Sequence, residues 1–476
     1  MSKAAGPYRA AAALPRLTIW SYGALGFPLA LVGYPLGIWL PRAYGTDVGV
    51  ELATIGFIIT AAAIFDAVTD PAIGFASDRV RSRWGRRRGW IGTGVPLLTL
   101  ALWCLLNPAA GADAIYLGFW YLALRVGSTM VLVPYGAWGA ELAPDYHERT
   151  RINSARQRCV LLGLIGAALV PAAVEFVRGD AATAIVVLES YSWLILVLLP
   201  GIALVLLATV PEPPKLPGEG GTPFLRSLQL MWGNRLFRIV VIVELVITGG
   251  ESFRNALSLF FMQDVIGIAR PGYLYVVYFA TGLLAIPLWD ALARRFGKHR
   301  SLASAMVLVS AVSIGIFLVE PGDVRAFQLL FAMKGLCFGA FSYLPLAMMA
   351  DVVDIDTVRS GDARTGSYFA VHGFMTKCAA SFGGFSLPLL ALTGYSAAPG
   401  AENGEGPLFW LAVLYALVPT ALFVLAFWLC WTWPLTAERH RRIRAALDRR
   451  ATRRSALEDA TRLGGPGAEP ETIAPT

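Results

Sequence analysis

Charged residues are scarce in this chain. They make up 15% of its 476 residues, whereas 56% are hydrophobic, and soluble proteins carry about 25% charged residues. A soluble core of this length does not need so many apolar side chains. Charge-free runs long enough to cross a bilayer, which takes about 20 residues, recur along the sequence, most clearly at 17–41, 89–112 and 406–437. We therefore predict a polytopic α-helical membrane protein.

Cysteine is also rare, and the signatures of several enzyme classes are missing. The five cysteines lie far apart in apolar segments, an odd number without metal-ligand spacing, so neither a disulfide framework nor a metal site is expected. No phosphate-binding GxxxxGK[ST] loop, zinc-binding HExxH motif or soluble nucleophile motif occurs. The sequence thus predicts neither an enzyme nor an ATP-driven pump, and it implies no cofactor.

The basic residues, which give a net charge of +8, cluster in alternate loops. They lie at 79–88, 149–158, 294–300 and in the tail after residue 434. This alternation follows the positive-inside rule for cytoplasmic loops. We therefore expect both termini in the cytoplasm and no nucleic-acid partner, and we expect the basic tail to meet membrane lipids.

The apolar segments predict twelve helices in two halves. They lie near 17–41, 51–76, 90–110, 114–141, 157–177, 185–210, 235–262, 271–292, 301–320, 325–352, 365–394 and 407–434. A proline- and glycine-rich stretch, 211–223, separates six helices from six and reads as a flexible linker. We divide the chain into a first half (1–210), a cytoplasmic linker (211–234), a second half (235–434) and a partly disordered basic tail (435–476). Two pseudo-symmetric six-helix halves are typical of major-facilitator carriers.

Asp66 and Asp70 interrupt the apolar run 52–75. Four residues apart, they lie on one face of a helix. Burying one ionised carboxylate in a bilayer costs roughly 2.5 to 3.5 kcal/mol even on the lenient insertion scale, so such a pair usually has a cation partner and a function. The loop that follows carries six arginines between Arg79 and Arg88. A membrane carboxylate pair that leads into a basic loop points to coupled transport.

Around this pair the chain resembles the glycoside–pentoside–hexuronide cation symporters. That family has two aspartates in its second helix, then a proline, a glycine and an RxRxGRxRPW-like loop. The corresponding residues here are Asp66, Asp70, Pro71, Gly74, Arg81, Arg83, Gly85, Arg86, Arg88 and Trp90. Further blocks at 133–152, 286–300 and 350–381 follow in the family's order. The resemblance implies the all-α membrane major-facilitator fold with twelve transmembrane helices.

By resemblance, Asp66 and Asp70 are cation-site carboxylates, and Thr129 contributes a hydroxyl ligand. Lys377, about three turns into the eleventh helix, would link the cation site to the substrate site. Arg125, one turn before Thr129, is a candidate partner for one carboxylate. Such pairing is compatible with function, because protonation would release the arginine.

The chain departs from the melibiose-carrier-like pattern at three positions. Leu132 stands at the place of an additional aspartate, Phe27-Pro28 replaces a first-helix segment with a sugar-binding aspartate, and Ala63 replaces an arginine. Two close carboxylates, partly desolvated, favour proton exchange near neutral pH. With one acidic ligand fewer, protons are favoured over Na⁺ as the coupling ion. If Na⁺ is the ion, it would bind at Asp66 and Asp70.

Other membrane residues have competing interpretations. Tyr22 and Trp138 could stack on a sugar ring, as aromatic side chains do, although packing claims most aromatic residues. Glu251 and Arg254, three residues apart, could line the cavity or form a structural ion pair, and Lys334 could join them. His372 is expected to be a packing residue.

The first basic loop matches the major-facilitator loop GxxxDRxGRR. The matching residues are Asp78, Arg79, Gly85 and Arg86, and Arg149 in the next basic loop is a candidate partner. We expect these residues to form a gating network that holds the two halves together at the cytoplasmic face. They are not expected to bind ligands.

These observations predict a secondary transporter that moves a sugar- or glycoside-like small molecule together with H⁺ or Na⁺ by alternating access. One alternative keeps the fold but assigns an amphiphilic, lipid-like solute, because the first-helix aspartate is missing. A second alternative is a membrane sensor or assembly factor without transport. We expect a functional monomer in the inner cell membrane.

Overall fold

The computed structural model describes residues 14–79, 85–142, 146–212, 229, 231–360 and 365–433. Within those ranges the chain forms helices joined by turns and no strand. The α-helices are α1 (Arg16–Ala24), α2 (Gly26–Arg42), α3 (Leu52–Arg79), α4 (Arg86–Leu106), α5 (Ala114–Leu142), α6 (Tyr146–Arg178), α7 (Ala184–Thr209), α8 (Arg235–Phe260), α9 (Gly272–Phe296), α10 (Lys298–Phe317), α11 (Val324–Phe341), α12 (Leu344–Ser360), α13 (Thr365–Ala380), α14 (Phe382–Ala391), α15 (Glu405–Ala412) and α16 (Val418–Trp431).

Ten helical segments of the described ranges are long and apolar enough to cross a membrane. The all-α membrane fold is therefore confirmed, whereas the count of twelve spans is not reached by this criterion. The two predicted helices that fall short are the seventh and the eleventh. In the seventh, α8 carries Glu244, Glu251 and Arg254. In the eleventh, the helix breaks at Ser381 between α13 and α14.

Prolines explain other breaks in long helical segments. Pro28 cannot donate a backbone hydrogen bond and lies at the start of α2, directly after the break at Leu25. Pro345 occupies the same kind of position at the start of α12. In α3, Pro71 follows Asp70, so the carbonyl of residue 67 lacks its usual helical donor. The helix that carries the carboxylate pair is thus weakened right beside it.

The two halves pack against each other through two helix pairs that occupy equivalent positions in the two halves. The second passage, α3, packs on α14 of the eleventh, and the fifth passage, α6, packs on α9 of the eighth. Exchanging the halves converts one pair into the other. The helices α2 and α8, which belong to the first predicted passage of each half, are also in contact. These paired contacts agree with the pseudo-two-fold relation between the halves of a major-facilitator fold.

Small residues bring α3 and α14 together. A Cβ atom on Gly56 would overlap the Gly384 carbonyl oxygen and the Pro388 ring, and one on Gly384 would overlap the Thr60 hydroxyl. Membrane helices approach this closely where glycines face each other. The contact lies between Asp66 and the end of the bundle that holds Arg42, called here the Arg42 end. The opposite end, which holds Arg86, is called the Arg86 end.

We expect Gly56→Ala to destabilise the protein. The added methyl group has no space between α3 and α14, and overpacking of this kind costs about 1–3 kcal/mol. Gly33→Ala is the matched control, because a Cβ there would meet nothing within 4 Å. Thermal unfolding of the purified variants in detergent should give a lower melting temperature for Gly56→Ala only. An unchanged melting temperature for Gly56→Ala would contradict this contact.

Candidate functional site

Asp66 and Asp70 lie one turn apart on α3, where the two halves meet. The side chain of Asp66 is 8% exposed and that of Asp70 is 13% exposed. Two carboxylates this deeply buried require compensating charges. Each carboxylate has a different cationic partner.

Asp66 pairs with Arg125 of α5, inside the first half. Arg125 Nη1 donates to Asp66 Oδ2 at 3.0 Å, and Arg125 Nη2 donates to the Tyr121 hydroxyl at 3.1 Å. Asp66 Oδ1 is buried and has no hydrogen-bond donor among the described residues. A buried carboxylate oxygen without a donor leaves a site at which a proton or a metal cation can bind.

Asp70 connects the two halves. The Thr129 hydroxyl of α5 donates to Asp70 Oδ1 at 2.8 Å, and Lys377 Nζ of α13 donates to Asp70 Oδ2 at 2.6 Å. Thr129 belongs to the first half and Lys377 to the second. The protonation or cation occupancy of Asp70 therefore bears directly on a contact between the halves.

The donor set fits a monovalent cation better than a transition metal. The oxygens of Asp66, Asp70 and Thr129 are hard ligands of the kind that a proton or Na⁺ accepts. No cluster of three or more His, Cys, Asp or Glu side chains suited to a metal occurs in the described part of the chain. A cation that reaches Asp70 has to compete with the ammonium group of Lys377.

Arg125 and Lys377 remain partly exposed. Their side chains are 28% and 33% exposed, although each is bound to a carboxylate. Both cationic groups therefore keep some accessible surface while each is paired with an aspartate.

Tyr22 and Trp138 are packed rather than presented to a cavity. The Tyr22 and Tyr135 rings stack at 4.5 Å between centroids, and each hydroxyl donates to the backbone carbonyl of the other residue. Trp138 is fully buried, and its Nε1 donates to the Pro211 carbonyl at 3.0 Å. In this conformation neither ring has a face free to stack on a solute, because both faces are covered by protein.

A second polar cluster joins α8 to α13, one residue from Lys377. His372 Nε2 contacts Glu244 Oε2, and the Thr376 hydroxyl donates to Glu244 Oε1 at 3.0 Å. From sequence, His372 is expected to be a packing residue, and Glu244 is not among the candidate site residues. The signal for Glu244 was an acidic residue inside an apolar helix, as for Asp66.

Glu251, Arg254 and Lys334 form a buried ionic cluster in the second half. Glu251 lies 3.1 Å from Lys334 Nζ and 3.4 Å from Arg254 Nη1, and Arg254 also donates to the Ser313 hydroxyl at 2.8 Å. The side chains of Arg254 and Lys334 are 1% and 3% exposed. Of the two interpretations that the sequence allows, structural pairing fits this burial and cavity lining does not.

The predicted gating residues lie at the Arg86 end, where the described contacts around them involve the first half and the start of the linker. Arg86 and Arg87 of α4 both bind Glu141 of α5 at 2.7 Å, and Glu212 accepts from the Arg87 backbone N–H at 2.6 Å. Gly85 has a φ of 106°, which favours glycine at the start of α4. Glu141 and Glu212 are partners that the sequence alone does not indicate.

The other predicted gating residues show no described contact between the halves. Arg79 lies over the Phe75 ring of its own helix at 3.5 Å. The side chains of Asp78 and Arg149 lie outside the described residues.

Among the described residues, several polar contacts between the halves lie at the Arg42 end. Arg42 makes two hydrogen bonds to Asp264, at 2.5 and 3.0 Å, and Tyr395 also binds Asp264. Arg42 comes from the first half, whereas Asp264 and Tyr395 come from the second. This clamp, Arg42–Asp264–Tyr395, was not predicted, because its members lie in loops and helix ends far apart in sequence.

The same end holds two further contacts between the halves. The Gly272 backbone N–H donates to both oxygens of Glu175, at 2.9 and 2.7 Å. Arg270 pairs with the exposed Asp180 at 2.7 Å. Together with the Gly56–Gly384 contact, they close the bundle at the Arg42 end.

Comparison with known proteins agrees with this arrangement of two helical halves. The model of a family described as "MFS/sugar transport protein" matches residues 21–437. The chain belongs to that family. The predicted resemblance to the glycoside–pentoside–hexuronide symporter family is thereby confirmed, and this member of the MFS/sugar transport family is a transporter rather than an enzyme.

Individual relatives span nearly the whole chain. A glucuronide carrier protein homolog of Escherichia coli (strain K12) is 25% identical over 88% of this chain and 92% of its own. The inner membrane symporter YicJ of the same organism is 25% identical over 80% of this chain and 84% of its own. The solved structure of a D-xylose–proton symporter covers 88% of this chain and 96% of its own, with 16% identity and a TM-score of 0.60. That structural likeness supports the fold.

Proposed function

We propose that this transporter carries a sugar or glycoside together with H⁺ or Na⁺, and that Asp66, Asp70 and Thr129 form the coupling site. The proposal rests on the two interactions of Asp70. It accepts a hydrogen bond from Thr129 in its own half and pairs with Lys377 in the other half. A cation bound at Asp70 removes an ionic contact between the halves. That is the link between ion binding and alternating access that symport requires.

The charges of the site explain how a cation could act. Asp66 is balanced by Arg125, and Asp70 is balanced by Lys377. When a proton or Na⁺ neutralises Asp70, Lys377 becomes an uncompensated cation at membrane depth. The solute, bound near Lys377 and Arg125 through its hydroxyl oxygens, then offers the lysine new acceptors. Ion and solute thus favour each other's binding.

We assign the Arg86 end to the cytoplasm, because the arginine-rich loops lie there. The clamp and the close helix contact seal the opposite, outer end, while Arg125 and Lys377 stay accessible. We infer that the site opens toward the cytoplasm, because the clamp and the Gly56–Gly384 contact lie on the outer side of Asp66. By analogy with bacterial relatives, we place the protein in the inner membrane.

The test is uptake into proteoliposomes loaded with no solute. Candidate pentosides, hexuronides, galactosides and one lysophospholipid are offered under an imposed proton gradient, a sodium gradient or neither. We expect one sugar-class solute to accumulate under a single cation gradient. Accumulation of the lysophospholipid alone would favour the amphiphile alternative, and no uptake of any solute would favour a role without transport.

The clamp at the outer end should control access from outside. We expect Asp264→Asn to raise the labelling of a cysteine at Ala397, which contacts Gly45 across the halves, by an impermeant maleimide. The rise should be several-fold in a background without the native cysteines, because loss of a half-buried ionic pair favours the state open to the outside.

Arg270→Gln is the matched control, because its pair with Asp180 bridges the same end but is exposed and should contribute little. The exchange Arg42→Asp with Asp264→Arg should restore low labelling. If Asp264→Asn and the parent are labelled equally, the clamp does not control access from outside.

A further inference from the structure

A basic cavity lies between α1 and α6 at the Arg86 end, away from the cation site. Its volume is about 320 Å³, and it is lined by Arg16, Ile19 and Trp20 of α1 and by Arg151, Ser154, Ala155 and Arg158 of α6. Three guanidinium groups, one hydroxyl and one indole thus surround a single space with apolar walls. None of these residues takes part in the network around Asp70.

Among the residues that the structure describes, too few acidic side chains are present to balance the charges around this cavity. Arg151 pairs with Glu148, one turn earlier on α6, at 2.5 Å. Arg16 and Arg158 have no acidic partner among the described residues. Within the described part of the chain, three arginines and one glutamate give a charge of +2 around the cavity. Two convergent unpaired guanidinium groups favour an anionic ligand, and their planar forks suit phosphate oxygens.

Beyond Arg158, the same face of α6 carries exposed apolar side chains. Leu162, Leu169 and Phe176 follow Arg158 at intervals of four, seven and seven residues, so they lie along one side of the helix. All three are exposed, and Phe176, near the closed outer end, is 91% exposed. These exposed apolar side chains are suited to contact lipid hydrocarbon.

The other face of α6 and the exposed residues of α1 agree with that orientation. Arg156, on the opposite side of α6, lies over the Tyr135 ring of α5 inside the half, at 5.2 Å. Leu17 and Trp20 of α1 are 68% and 45% exposed beside the cavity. Exposed tryptophan is characteristic of the level of lipid headgroups.

We propose that this cavity binds the phosphate headgroup of an acidic phospholipid of the cytoplasmic leaflet. Arg16, Arg151 and Arg158 hold the phosphate, Ser154 contributes a hydroxyl, and one acyl chain lies along Leu162 and Leu169. Basic pockets between helices on the cytoplasmic side have this specificity for acidic headgroups. The leaflet assignment rests on the orientation given under the proposed function, whereas the site itself does not depend on which solute or ion is carried.

The experiment compares lipid retention by native mass spectrometry. The full chain is extracted from phosphatidylethanolamine vesicles with or without phosphatidylglycerol. We expect the parent to retain phosphatidylglycerol preferentially. Each of Arg16→Gln and Arg158→Gln should weaken that retention about fivefold, because one arginine near the surface contributes about 1 kcal/mol to acidic-lipid binding. Arg158→Lys should keep part of it.

Arg295→Gln is the matched control, because Arg295 is an exposed arginine of α9 at the same end with no acidic partner in the described ranges. It removes one positive charge outside the cavity. If Arg295→Gln weakens retention as much as Arg158→Gln, general charge and not this cavity accounts for the lipid. If inorganic phosphate displaces phosphatidylglycerol completely, the cavity is a site for soluble anions and the lipid proposal is wrong. Retention that no variant changes would also overturn it, and size-exclusion profiles identify any variant that fails to fold.

Discussion

Asp70→Asn is expected to abolish gradient-driven accumulation while the protein still folds. The amide oxygen can still accept the Thr129 hydrogen bond, so the contact inside the first half remains. The ionic bond to Lys377 is lost, and an amide cannot exchange a proton with solvent in the way a carboxylate does. The variant therefore resembles the protein with its coupling site permanently neutral.

The size of the effect follows from the driving force. One charge that crosses at 100 mV is worth about 2.3 kcal/mol, which corresponds to roughly 50-fold accumulation of solute. For Asp70→Asn we expect the internal concentration to approach, but not exceed, the external one. Uptake of labelled solute into proteoliposomes, with and without an imposed potential, measures this ratio.

Two further variants separate the site from general effects. Asp290→Asn removes an acidic residue whose exposed pair with Arg294 lies at a helix surface, and it should accumulate solute like the parent. Asp66→Asn should also lose accumulation, with a further loss of stability because Arg125 is left without its acid. If both Asp66→Asn and Asp70→Asn keep full gradient-driven accumulation, these residues do not form the cation site.

The local parts of the site could be predicted from sequence, because helical periodicity and the family pattern both apply there. Asp66 and Asp70 are four residues apart, and so are Arg125 and Thr129, so each pair presents one face of its helix. Once α3 packs on α5, the two faces meet. The fold class follows for a similar reason, since long apolar runs need little beyond their length to be assigned to a membrane.

The contacts between distant segments could not be predicted in this way. Lys377 binds Asp70 across 307 positions of the chain, and periodicity within one helix does not state which helix faces it. Asp264 lies at a helix end rather than inside an apolar run. Its carboxylate therefore does not stand out in the sequence as a charge buried in the membrane. Tyr22 and Trp138 show the converse problem, since an aromatic side chain suits a sugar face and a protein core equally well. Only the packing of Tyr22 on Tyr135 distinguishes the two.

The buried cluster in the second half allows a second large prediction, which concerns stability. Glu251 carries one negative charge, and Arg254 and Lys334 carry one positive charge each, so the cluster has a net charge of +1. Glu251→Gln changes it to +2 without a change of volume. Two buried cations then remain without an acid, and removal of one partner from a buried ionic group costs about 3–5 kcal/mol.

We therefore expect Glu251→Gln to lower the melting temperature in detergent by several degrees and to reduce the amount of folded protein recovered. Lys334→Met, a change of similar volume, should cost much less, because it leaves the neutral pair of Glu251 and Arg254. The double variant Glu251→Gln with Lys334→Met should recover part of the loss, since a single cation bound to Ser313 then remains. If Lys334→Met were as destabilising as Glu251→Gln, charge balance would not be what holds these three helices together. In that case the aromatic contacts of Lys334 with Tyr278 and Phe331 would be the larger contribution.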